Sequence, residues 1–216
     1  VKRYLPLAGM LAFPVLGWLY ALTDNPDHRP HHRIYSLMTD LDRAIPFVKL
    51  FALPYAVWIF YLYACLVYFF VKDPAVYRDT LVAYVACALI CCGIYVFFQT
   101  TVPRPVVSGD DPASRLLLFI YHRDRPFNCF PSIHCFSSYL VMKALFRSGF
   151  RNRINQTLIY GMSTLIIVST LFIKQHTVLD AACGILLADI AYRALLRFGR
   201  AAGRRKPQAS ADRADT

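Results

Sequence analysis

Residues 79–98 read DTLVAYVACALICCGIYVFF, and after Asp79 nineteen consecutive residues carry no formal charge. At about 1.5 Å per residue a helix of that length crosses about 30 Å, the thickness of a bilayer's hydrocarbon core. Comparable runs lie on either side, at Tyr4–Leu22, Lys49–Val71, Pro131–Phe146, Leu158–Ile173 and Thr177–Leu196. The pattern predicts an all-α membrane protein of six transmembrane helices over residues 1–198, with a basic, disordered tail at 199–216. Pro6, Pro14 and Pro54 would break soluble helices but are tolerated in membrane ones. The first run follows Lys2 and Arg3, as a signal peptide's would. It is long for one, however, and no small-x-small cleavage site follows, so a retained first helix is expected.

Composition points the same way. The chain is 57% hydrophobic and 17% charged, against about 45–50% apolar and about 25% charged for soluble domains. An aromatic content of 15% excludes disorder for most of the chain. Seven cysteines are an odd number, and Cys65, Cys87, Cys91, Cys92 and Cys183 fall in apolar runs, which argues against a disulfide scaffold. Cys129 and Cys135 fall on the outer side of the predicted layout, where a disulfide and two buried thiols are both open readings.

The net charge of +11 has a location. With six spans, the termini and the second and fourth loops share one side. That side holds fifteen of the 24 basic residues and five aspartates; the other holds nine basic residues and eight aspartates. The positive-inside rule makes the first side cytoplasmic, and the basic tail then lies beside an anionic inner leaflet. The charge therefore reports orientation in a membrane, with membrane lipids as neighbours and no nucleic-acid partner.

Several polar residues are not explained by topology. All six histidines fall on the outer side. His134 opens the fourth run in Pro131-Ser132-Ile133-His134, and His176 opens the sixth in Lys174-Gln175-His176. Asp180 follows His176 by four residues, on the same helix face, where a carboxylate can orient an imidazole and leave its other nitrogen as nucleophile or base. Proline marks the first turn of a helix, whose free N–H groups attract anions, and Ser132 adds a hydroxyl. Arg104 is held between Pro103 and Pro105, and Arg123 and Arg125 precede the Pro-Ser pair. Guanidinium forks with the Lys174 ammonium suit a phosphate dianion. His28-x2-His31-His32 is read as part of a loop and an interfacial helix (Ile34, Leu37, Leu41, Ile45) and not as a metal site.

These residues resemble the type 2 phosphatidic acid phosphatase (PAP2) superfamily, a six-helix membrane fold with three site motifs. Pro131, Ser132 and His134 meet the family's Pro-Ser-x-His. His176 and Asp180 meet its His-x3-Asp. Its Lys-x6-Arg-Pro is met by Arg104 and Pro105 alone, with Phe97 in the lysine's place, and Thr170 stands where an arginine is usual. Phe130–His134 together with Lys174–Asp180 look most like the branch of inositol phosphorylceramide synthase-like proteins, with Lys174, Arg123 or Arg125 replacing the missing cations.

The resemblance implies an enzyme that needs no metal or other cofactor. Catalysis would fall to His176 as nucleophile forming a phosphohistidine, His134 as acid and base, and Asp180 as orienting carboxylate. Arg104, Ser132, Lys174, Arg123 and Arg125 would bind the phosphate. The expected substrate is a lipid phosphate or diphosphate at the outer face of a cytoplasmic membrane, hydrolysed by water or passed to an alcohol. The rival reading is a carrier that holds an anionic lipid in the same cationic site without cleaving it.

Overall fold

The structure, a computed structural model, describes residues 2–24 and 33–201. A 3-10 segment, Lys2–Leu11, runs into α1 (Ala12–Thr23). Pro6 lies in the 3-10 segment, and its carbonyl accepts the Tyr77 hydroxyl at 2.8 Å. After residue 33 come β1 (Ile34–Ser36) and α2 (Asp40–Ala44), and a 3-10 turn at Lys49–Phe51 leads into α3 (Ala52–Ala56) and α4 (Trp58–Lys72). Then follow α5 (Pro74–Phe97), β2 (Gln99–Thr101), α6 (Pro112–Arg123), α7 (Ile133–Arg147), α8 (Arg153–Phe172) and α9 (Val178–Ala201).

Local chemistry sets the ends. Asp73 caps α5, its carboxylate accepting Ala75 N–H at 2.8 Å, and Pro74 takes the first helical position where its missing N–H costs nothing. This starts α5 six residues before the charge-free run does. Asn152 and Asn155 form a reciprocal capping box that starts α8. Helix α8 ends in a Schellman turn. Gln175 N–H returns to Thr170 O at 2.9 Å and Lys174 N–H to Leu171 O at 3.2 Å. Lys174 itself holds the left-handed conformation (φ 55°) that glycine usually supplies.

Among the described residues, four helical stretches are long and apolar enough to cross a bilayer: Tyr4–Thr23, Lys49–Lys72, Pro74–Phe97 and Arg153–Phe172. This corrects the expectation of six. Helix α7 has 15 residues, about 22 Å at 1.5 Å each, short of the core thickness. Helix α9 has 24 residues but carries Asp180, Asp189, Arg193 and Arg197 along its length. Both pack on the other helices: α7 lies against α4, α5, α8 and α9, and α9 also against α5, with Leu179, Leu186 and Ile190 of α9 exposed on its outer face. Asp189 is neutralised there by Lys143 at 2.5 Å and Arg193 at 2.5 Å. The outward surface is apolar, with Leu5, Trp18, Phe60, Val71, Ile154 and Leu158 all exposed on the spanning stretches. Water would penalise so continuous a patch, and hydrocarbon would not.

Two further expectations change. The interfacial helix over Ile34–Ile45 is only α2, because Thr39 and Asp42 form a capping box that starts a helix at Asp40, while Ile34–Ser36 instead pairs parallel with β2. Helix α6 had no counterpart in the sequence reading; it covers α3 with Leu117 and Ile120. His28, His31 and His32 lie outside the described residues, as does the tail from 202 onward.

Candidate active site

One end of the bundle gathers the C-terminal ends of α1, α5 and α8 with the N-terminal ends of α3, α7 and α9. The segment before α7 is tied to it from three sides. Tyr95 donates to Pro131 O at 2.6 Å, Phe130 N–H to Thr100 Oγ1 at 2.9 Å, and Ser132 N–H to Asp180 O at 3.1 Å. Ser132 is fully buried and caps α7, its hydroxyl accepting Cys135 N–H at 3.2 Å. Asn128, in the left-handed region that asparagine tolerates, donates to Thr23 Oγ1 at 2.8 Å. Gln99 donates to Thr23 O at 2.7 Å, so the end of α1 is fixed to the same segment. Gly184 lets the helix starts close up: a Cβ there would fall 2.6 Å from Ser132 O.

This framework brings the two helix-opening histidines together. His134 Nδ1 lies 3.3 Å from His176 Nε2, with both residues buried. His176 Nδ1 lies 2.9 Å from the Cys129 carbonyl. A carbonyl only accepts, so Nδ1 carries the hydrogen and Nε2 presents its lone pair. The His134 ring is fixed by aromatic neighbours, with Tyr55 stacked at 4.4 Å and Trp58 at 4.2 Å between centroids.

Asp180 plays a different part in this geometry from the one its spacing suggests. Its Oδ2 accepts Thr177 N–H at 2.7 Å, capping α9, and stands 3.8 Å from His176 Nδ1. The carboxylate is buried beside the imidazole, while the Cys129 carbonyl makes the direct hydrogen bond. The first N–H of α9, from Val178, goes to Asp42 Oδ1 at 2.7 Å. That helix start is therefore already supplied with carboxylates.

The expected cations divide. Arg104 is at the site: it donates to Tyr121 O at 2.9 Å, to Asp124 O and to Gln175 Oε1, and lies over the Tyr121 ring at 4.3 Å. Its buried Nε has no hydrogen-bond partner among the described residues. Arg123 is exposed and lines a cleft next to His134, and Arg125 is exposed beyond it. Lys174 is not brought to the histidines. Its ammonium donates to Asp42 O at 2.7 Å and Ile45 O at 2.5 Å, at the C-terminal end of α2, where cations are favoured.

Asp124 was missed. In the sequence it sits inside the basic run His122–Arg125 and reads as its counter-charge. In the fold its carboxylate accepts Tyr20 OH at 2.8 Å, Tyr55 OH, and Gln175 Nε2 at 3.3 Å, and its Oδ2 is 3.9 Å from His134 Nε2. Nearby Asp24 is pushed up to about 7, by burial and then by the Asp124 carboxylate. Cys129 and Cys135 are both free thiols, and burial pushes Cys129 well above its ordinary range. Among the described residues no cluster of histidine, cysteine or acidic side chains is arranged to hold a metal.

A cleft of about 590 Å³ ends at this group of residues. Tyr20, Tyr55, Arg123, Asp124 and His134 form its polar end, and Phe13, Leu16, Gly17, Ile59, Tyr63 and Tyr84 line the rest, between α1, α4 and α5.

The model of the PAP2 superfamily matches residues 30–194. No curated protein and no solved structure matches the chain. The match covers well over half of the sequence and includes both histidines, and the chain belongs to the PAP2 superfamily, whose members are generally phosphatases or phosphotransferases.

Proposed function

We propose that this PAP2 superfamily member is a membrane lipid phosphate or diphosphate phosphatase working through a phosphohistidine on His176. The observation that carries the reading is the pair His134–His176, 3.3 Å apart, with His134 at the polar end of an otherwise apolar cleft. A carrier needs cations and apolar walls; it does not need an imidazole with a defined tautomer facing a second imidazole. An amphiphile, with its phosphate at the histidines and its tail between α1, α4 and α5, matches the cleft's polarity.

The chemistry follows from the tautomers. The lone pair of His176 Nε2 attacks phosphorus as the bond to the leaving oxygen breaks, and His134 gives that oxygen its proton. Water then attacks the phosphohistidine, His134 takes the water's proton, and the P–N bond breaks to restore His176 and release phosphate. Arg104 Nε–H, Arg123 and the first amides of α7 meet the phosphoryl oxygens, since catalysis here is mostly positioning and charge neutralisation. Asp180 balances the charge on His176. We place the site on the extracytoplasmic side and both termini in the cytoplasm, because the helix ends that meet at the site lie opposite the basic connections at Lys72–Arg78 and Lys143–Arg153. An acceptor alcohol in place of water would make the same site an inositol phosphorylceramide synthase-like phosphotransferase.

Purified protein in detergent, given a panel of lipid phosphates and diphosphates with and without acceptor alcohols, tests the reading. The native chain releases or transfers phosphate, and His176→Ala and His134→Ala each reduce turnover by about 10²-fold or more. Full activity in both variants overturns the mechanism. Binding of such lipids with no turnover by the native chain establishes the carrier.

A further inference from the structure

We propose that Asp124 is the positioning residue of His134. It receives Nε2–H of the doubly protonated imidazole, so that Nδ1 is the nitrogen that gives and takes the reaction's proton. The inference rests on the histidine reading above and deepens it.

Three observations carry it. First, the two ring nitrogens of His134 face different groups. Nδ1 looks toward His176 Nε2 at 3.3 Å, where phosphorus must be attacked, and Nε2 looks toward Asp124 Oδ2 at 3.9 Å. A separation of 3.9 Å is not a hydrogen bond, but such contacts commonly tighten when substrate binds. Second, the carboxylate is built in place from three elements: Tyr20 of α1 and Tyr55 of α3 donate to its two oxygens, and Gln175 before α9 donates to the second. Third, Tyr55 both donates to Asp124 and stacks on His134, so one side chain sets the carboxylate and the imidazole together. The titratable groups facing His134 are His176 from the turn before α9, Tyr55 from α3 and Asp124 from the end of α6. Arg104 donates to the Asp124 backbone carbonyl. This is the orienting arrangement of a triad, applied to the acid–base histidine.

The proton balance is closed. As the P–O bond breaks, Nδ1–H passes to the leaving oxygen; as water attacks, Nδ1 takes a proton back. Asp124 takes up no proton in either step, and it stabilises the imidazolium that stands before the first step and after the second.

The test compares Asp124→Asn with the native chain on an alkyl phosphate and on 4-nitrophenyl phosphate, whose leaving oxygen needs little protonation. The alkyl ester loses at least 100-fold in kcat, while phosphoenzyme formation from the nitrophenyl ester stays within about fivefold. The basic limb of kcat/KM for the alkyl ester moves at least one pH unit lower, because an opposite charge within about 4–6 Å favours the imidazolium. In a His134→Ala background Asp124→Asn adds no further loss. Equal losses on both esters, an unmoved pH limb, or additive losses overturn the proposal while leaving the histidine mechanism standing. If Asp124→Asn does not fold, Tyr20→Phe decides, since it frees one carboxylate oxygen without touching His134. The alkyl-to-nitrophenyl ratio then falls at least threefold, and an unchanged ratio overturns the proposal. Turnover that survives loss of both histidines removes the mechanism and this inference with it.

Discussion

Gly184→Ala should disable the site through a single methyl group. The added Cβ would fall 2.6 Å from the backbone oxygen of Ser132 and 3.3 Å from Phe136 N. Carbon–oxygen contacts settle at about 3.3–3.6 Å, so the start of α7 and the facing turn of α9 must part by about 0.7–1 Å. Neither contact is the far end of a flexible side chain; both are backbone atoms of the helix start that carries His134, and the seam is also fixed by Ser132 N–H on Asp180 O. Overpacking of this kind costs about 1–3 kcal/mol of stability. A displacement near 1 Å between reacting groups can cost about 10² in rate. The expected result is kcat on 4-nitrophenyl phosphate down by about 10–100-fold in a protein that still folds, with thermal unfolding in detergent several degrees lower. Gly161→Ala is the control, because a Cβ there meets nothing within 4 Å; it should leave kcat unchanged and gain up to about 1 kcal/mol of helix propensity. Native kcat and stability in Gly184→Ala would refute the claim that close approach of α7 and α9 sets the distance between the two histidines.

The other predictions use the cleft and the loop charges. Gly17 lies on the cleft wall with open space around an added Cβ. Gly17→Phe should displace about two or three methylenes of a lipid tail, worth ~2 kcal/mol, raising KM for long-chain lipid phosphates about thirtyfold and leaving 4-nitrophenyl phosphate untouched; equal effects on both contradict the tail assignment. Lys174→Met should lower stability by about 1 kcal/mol through loss of the α2 tether and change kcat/KM less than threefold. A 100-fold fall would return Lys174 to the phosphate. Asp24 has a folded-state pKa raised from 3.8 to about 7, so the native fold binds the extra proton and stability falls as pH rises between those values. Asp24→Asn should remove that fall, melting several degrees above the native chain at pH 8 and level with it near pH 4; parallel melting curves at all pH values contradict it.

Much of the scaffold was legible in sequence because bilayer crossing demands long uncharged runs, and four such stretches stand where the runs predicted. Helices α7 and α9 were legible as helices and not as independent spans, since one is short and the other charged; what makes them viable is packing on the others, which hydropathy along the chain does not register. His134 and His176 were legible because each opens a helix, and adjacent helix starts meet when neighbouring helices run parallel, as α7 and α9 do with α8 running back between them. Lys174 was misplaced because its φ of 55° turns the side chain's root through a Schellman bend, a conformation its sequence does not announce. Asp124 and Gln175 escaped notice for a related reason: their partners Tyr20 on α1 and Tyr55 on α3 are 69 to 120 residues away, and no local spacing encodes such contacts.

The phosphohistidine itself is the most direct test. Protein quenched in base after brief exposure to a ³²P-labelled lipid phosphate should carry acid-labile, base-stable label on His176. His176→Ala should carry none, and His134→Ala should retain label longer than the native chain because the water step lacks its base. Steady turnover with no label on any histidine, or label undiminished in His176→Ala, would contradict the mechanism.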